Sequence, residues 1–106
     1  MQLLTKEILT KFEKVGSQDN KELKEQEIIV KFFNPTGLGN WYATEYNPET
    51  QIFFGWVSIY GDHCDEAGSF SLSKLTGIRL PYGLHIERDK HFGEGRLLKE
   101  VMYNNN

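Results

Sequence analysis

Apolar residues recur along the first turns of the chain at the spacing of one helix face. Leu4, Ile8, Phe12 and Val15 form the stripe, and Lys6, Glu7, Lys11 and Glu13 point away from it. Thr5 or Leu4 is placed to open this helix, and Gly16 is placed to end it. An amphipathic helix of this kind covers a sheet. Residues 17–26 break the stripe with a polar tract that reads as a charged, mobile connector. The period then changes from helical to extended. Residues 28–33 (Ile28, Ile29, Val30, Lys31, Phe32, Phe33) make an apolar strand run, and the Gly/Pro-rich residues 34–40 make a turn. Residues 41–60 read as two strands joined by an Asn47-Pro48 turn, with aromatic side chains at seven of twenty positions.

The second of these strands is unusual in being apolar on both sides. Alternation puts Ile52, Phe54, Trp56 and Tyr60 on one face and Phe53, Val57 and Ile59 on the other. A strand with one solvated side would alternate with polar residues. This strand is therefore central and covered twice, or one aromatic face is a binding surface. Gly55 at mid-strand predicts a bulge or a close backbone approach.

Downstream, residues 61–68 form a polar loop and residues 69–72 a short strand. Ser71 or Ser73 is able to cap a short helix running through Lys74 and Leu75 to Gly77. Residues 78–80 and 84–87 look like edge segments separated by Pro81-Tyr82-Gly83. Leu97, Leu98, Val101 and Met102 predict a terminal helix over residues 96–103, with residues 104–106 fraying. The fold class predicted is α+β: an antiparallel sheet of four to six strands packed against the N-terminal helix, with short helices near residues 73–76 and 96–103. The 106 residues contain no repeat and no long linker, so a single domain over 1–106 is expected.

Charge changes this picture more than composition does. Between Phe32 and Ser73 there is no lysine or arginine, whereas Glu45, Glu49, Asp62, Asp65 and Glu66 all lie there. Phosphate contacts dominate nucleic-acid affinity, so a β core without a cation is poorly suited to that role despite its aromatic residues. No apolar run approaches the ~20 residues of a membrane span. The charged N-terminus interrupts any secretory apolar region, and the lone Cys64 forms no internal disulfide. A cytoplasmic protein that does not bind membranes is expected.

Candidate chemistry is sparse. Gly37 and Gly39 are not followed by a lysine-bearing helix, so they do not make a phosphate loop. Asp62, His63, Cys64, Asp65 and Glu66 gather metal-type donors, but neither zinc nor calcium spacing is present; a solvated acidic loop is expected, with no metal and no cofactor. Cys64 has no base or oxyanion hole placed for it by the sequence. Glu87-Arg88-Asp89 is the more informative cluster. If residues 84–88 are extended, Ile86 and Arg88 share one face and Glu87 the other. Arg88 is then expected to cross the sheet and pair with Glu45.

Several stretches together resemble a known family. These are Asn34-Pro35-Thr36-Gly37, Trp41-Tyr42-Ala43-Thr44-Glu45-Tyr46, Ile52-Phe53-Phe54-Gly55, Gly68-Ser69-Phe70-Ser71-Leu72 and Gly83-Leu84-His85-Ile86-Glu87-Arg88-Asp89, with the opening Leu3-Leu4-Thr5-Lys6-Glu7. The family is the domain of unknown function numbered 2958, and the resemblance covers roughly residues 3–92. It implies small bacterial proteins carried on plasmids, phages and integrative elements, and it implies no activity.

The first functional expectation is an accessory protein of a mobile element, non-enzymatic, that binds a protein partner. It would act through an aromatic-acidic sheet face made of Trp41, Glu45, Phe54 and Trp56, with Glu87 and Arg88 nearby. The second is a small enzyme using Glu45, Glu87 and Asp89 as acid/base groups in an aromatic cleft. The third is a single-stranded nucleic-acid binder.

Overall fold

A computed structural model describes residues 2–59 and 65–102. Helix α1 (Lys6–Val15) opens at Thr5, whose side chain accepts from the Ile8 N–H, and closes at Gly16 with φ of 68°. Both ends fall where the apolar stripe and its caps placed them. A short 3-10 turn (Leu23–Glu25) follows, then β1 (Val30–Phe33), β2 (Asn40–Asn47), β3 (Ile52–Ser58), β4 (Glu66–Ser71), α2 (Leu72–Gly77), a second 3-10 turn (Pro81–Gly83), β5 (Glu87–Arg88) and α3 (Lys99–Met102). Ser71 caps α2 by accepting from the Lys74 N–H. The fold is α+β, as the pattern predicted. Residues 78–80 form no strand, and of the segment 84–87 only Glu87 enters β5.

The five strands form one antiparallel sheet in the order β4-β3-β2-β1-β5. β3 is therefore interior. Its inner face is packed, while its outer face is covered at Trp56 and partly open at Ile52 and Phe54, so the outcome lies between the two arrangements its pattern allowed. On the inner face, Phe12 of α1, Leu75 of α2 and Ile86 pack on Val30, Phe32, Trp41, Ala43, Phe53 and Phe70. Phe53 is fully buried and touches the rings of Phe12, Phe32, Tyr46 and Phe70, with centroids 4.5–6.1 Å apart. On the outer face, Leu98 and Val101 pack on Ile28 and Tyr42, with Trp56 and Phe92 beside them. Residues 96–98 reach that face by pairing with residues 26–28: the Ile28 N–H donates to the Arg96 carbonyl, and the Leu98 N–H donates to the Gln26 carbonyl.

One irregularity governs the whole sheet. The β2–β3 register runs from Asn40 opposite Ser58 to Ala43 opposite Gly55, then resumes with Glu45 opposite Phe54. Thr44 is the extra residue of a β-bulge, and the faces of β2 exchange there. Gly55 lies at the same point. A Cβ on it would sit 1.8 Å from the Tyr42 carbonyl oxygen, so only glycine admits this approach.

The connector over residues 17–26 is anchored rather than mobile. Gln18 is 1 % exposed, and its carboxamide acts as a missing strand partner. Its Nε2 donates to the carbonyls of Glu27 (2.9 Å) and Thr44 (2.8 Å), and its Oε1 accepts from the Glu27 N–H (2.7 Å). Gln26, also buried, accepts from the Thr44 hydroxyl through Oε1 and donates to the Gln18 carbonyl through Nε2. A bulge leaves ladder groups unpaired, and buried backbone groups need partners. Gln18 supplies them at Glu27 and Thr44, and Gln26 holds Gln18 and the Thr44 hydroxyl in place.

Candidate functional site

The residues expected to form one face are divided by the bulge. Trp41 is opposite Phe32 and Val57 and lies in the inner core, 8 % exposed. Glu45, Phe54 and Trp56 lie on the outer face. A bulge-free β2 would have kept Glu45 on the inner side with Trp41 and Ala43.

The expected Arg88–Glu45 pair does not form, because strand order and register as well as the bulge separate the two residues. Arg88 is opposite Phe32, on the inner side with Ile86, while Glu87 is opposite Phe33 on the outer side. The Arg88 guanidinium donates through Nη1 to the Gln2 carbonyl. Glu45 instead accepts the Gln18 N–H through Oε2 at 2.9 Å. Two strand spacings and about four residues of rise put the two residues on the order of 15 Å apart, on opposite faces.

The three carboxylates of the acid/base reading do not converge. Glu45 lines a groove of about 340 Å³ with Asn47, Thr50, Ile52, Phe54 and Ser69. Glu87 opens onto a separate groove with Leu3, Leu84 and His85. Asp89 borders a third, between Thr5, Ile8 and Lys11 of the α1 side and Arg88, Lys90 and Phe92. Asp89 is also held at 3.4 Å by the Lys31 ammonium.

The outer face has two unlike ends. At one end the C-terminal segment builds a cation–aromatic cover. The Lys31 Nζ lies 6.0, 5.7 and 5.7 Å from the ring centroids of Phe33, Tyr42 and Phe92, and the Arg96 guanidinium lies 4.7 Å over Phe92. Arg96 is fixed through Nε to Glu100 at 2.6 Å, and the other oxygen of Glu100 accepts the Leu97 N–H at 2.7 Å. The Leu97 N–H and then Arg96 hold the Glu100 carboxyl below its ordinary pKa. Tyr42 has its pKa pushed up, first by burial and then by the Asp65 carboxylate, with Arg96 opposing. Asp65 accepts the Ser58 hydroxyl at 2.8 Å. Sequence reasoning missed Lys31, Tyr42, Phe92 and Arg96 as a group. Lys31 breaking an apolar strand run was the signal that could have found them.

At the other end, beyond the bulge, no described residue of the C-terminal segment covers the sheet. Ile52 is 36 % exposed and Phe54 is half-buried. With Glu45 and Ser69 they form an open, shallow patch where β2, β3 and β4 meet. Residues 62–64 of the acidic loop, including Cys64, lie outside the described residues. Among the described residues no group of three His, Cys, Asp or Glu side chains could hold a metal ion, and no helix is long and apolar enough to cross a membrane.

A five-stranded antiparallel sheet with a capped helix on one face and a C-terminal cover on part of the other defines a small α+β protein. The chain belongs to the family described as protein of unknown function, DUF2958, whose family model matches residues 3–103. The match extends past Phe92 and takes in the C-terminal segment that packs on the outer face. No curated protein and no solved structure matches the chain.

Proposed function

We propose that this chain is a non-enzymatic binding protein, accessory to a bacterial mobile element and acting in the cytoplasm, that contacts another protein through the open end of its outer sheet face. The carrying observation is the groove where half-exposed Phe54 and Ile52 lie beside a carboxylate, Glu45, oriented by the Gln18 N–H. Aromatic side chains, phenylalanine among them, are enriched at protein interfaces. The carboxylate and the cation-free stretch around it favour a partner that presents an apolar side chain flanked by lysine or arginine. Trp41 and Arg88 drop out of the binding set, and Trp56 supports the patch from its roofed border.

The acid/base reading draws no support from carboxylates that open onto three separate grooves. Single-strand binding needs cations along the aromatic face, and this patch is acidic. The test is affinity capture from a host bacterium with the intact chain, Phe54→Asp and Glu45→Lys as parallel baits. A protein retained by the intact chain, lost with Phe54→Asp and weakened with Glu45→Lys, is the expected result. Identical capture by all three baits would sink the reading.

A further inference from the structure

The two edges of the sheet are built differently. β5 is two residues long, and the Asp89 N–H after it donates to the Lys31 carbonyl, extending the pairing with β1 by one residue. β4 is six residues long and pairs with β3 at six consecutive positions with no register break. Among the described residues, β4 has a strand neighbour on one side only. A strand of six residues presents about 20 Å of edge, with every second residue directing its N–H and C=O outward. Edges of soluble proteins are ordinarily blunted by lysine, proline, a bulge or a very short strand. β4 (Glu66, Ala67, Gly68, Ser69, Phe70, Ser71) carries no lysine, no proline and no bulge. Glu66 is its one charge, at its first position. Among the described residues, and apart from its two chain neighbours, no atom lies within 4 Å of where a Cβ on Gly68 would stand.

We infer that β4 pairs antiparallel with β4 of a second copy of this chain, joining two five-stranded sheets into one. A two-fold axis perpendicular to the sheet keeps inner face with inner face, so residues of the same parity oppose each other. An axis through Gly68 sets Glu66 against Phe70 and Ala67 against Ser69. An axis through Ser69 sets Ala67 against Ser71 and Gly68 against Phe70. In both registers the two Glu66 carboxylates stay at opposite ends, and the centre is small and neutral. The strand is thus complementary to its own reverse, which is what a two-fold interface requires. Ser69 is exposed, pairs with Phe54 and lines the open groove, so the dimer makes the two open patches continuous across the axis. This pairing stands independently of the partner-binding reading, because it involves the purified chain alone.

Sedimentation velocity on the full chain from about 1 to about 500 μM should show a concentration-dependent dimer of modest affinity, as befits a small interface. Ser69→Lys and Ser69→Glu each place like charges opposite or diagonal across the axis, and each should weaken dimerisation at least ~10-fold with the melting temperature preserved. An equimolar mixture of the two should restore association. Should Ser69→Lys lower the melting temperature, Ala67→Lys reads the same edge on the same face. A chain that stays monomeric throughout the range, or variants that dimerise like the parent, would overturn the inference.

Discussion

The inner and outer faces of the same sheet solve the burial problem in different ways. The inner face is a continuous apolar layer in which one ring, Phe53, touches four others and long-range packing comes from α1, α2 and Ile86. The outer face is covered for half its length by a segment that brings charge with it. There Lys31 and Arg96 lie over aromatic rings, and Asp89 and Glu100 neutralise them. Beyond the bulge no described residue of that segment continues the cover, and Ile52 and Phe54 are partly open. Apolar side chains alone therefore do not distinguish core from candidate interface in this chain. What distinguishes them is how far along the outer face the described C-terminal segment reaches.

The largest effect that would break this contrast is at the bulge, where both faces meet. Gly55→Ala drives a methyl group into the Tyr42 carbonyl, and backbone offers no flexible end to give way. A loss of ~4 kcal/mol or more, or failure to fold, is expected in chemical denaturation. Next come two adjacent phenylalanines on opposite faces. Phe53→Ala should cost about 3–5 kcal/mol, as for other buried aromatics. Phe54→Ala should cost less than about 1 kcal/mol, in the range of partly exposed sites. Equal losses would show that the outer end is packed like the inner one and would remove the candidate patch.

A smaller effect is expected at Gln18. Gln18→Ala strands the Glu27 and Thr44 backbone groups and should cost about 1–3 kcal/mol, with faster amide exchange at Glu27 as the local readout. The smallest effect concerns Tyr42 and alkaline pH. Its pKa in the folded chain is raised above the ordinary 10.0, so on alkalinisation the unfolded chain releases this proton first. The unfolded state then binds fewer protons, and stability falls as pH rises past 10.0. Tyr42→Phe should flatten part of that alkaline decline in melting temperature. Tyr46, also raised by burial, contributes to the remainder.

Local chemistry alone determined a good deal of this molecule. The α1 stripe and its Thr5 and Gly16 caps, the Ser71 cap of α2, the hairpin joining β2 and β3, and the close approach at Gly55 are all short-range signals, and each is where the chain's own pattern put it. The family was legible for the same reason, in contiguous stretches such as Trp41-Tyr42-Ala43-Thr44-Glu45-Tyr46. Only the tertiary structure decided the site. One inserted residue, Thr44, exchanges the faces of β2, and strict alternation carries no warning of it. That exchange separated Trp41 from Glu45, and strand order with register separated Glu45 from Arg88. The exchange also made Gln18, in a polar tract, a buried stand-in for a strand partner, with Gln26 buried beside it. The physical reason is that side-chain direction in a strand depends on counting residues in register, and register belongs to pairs of strands rather than to either one alone.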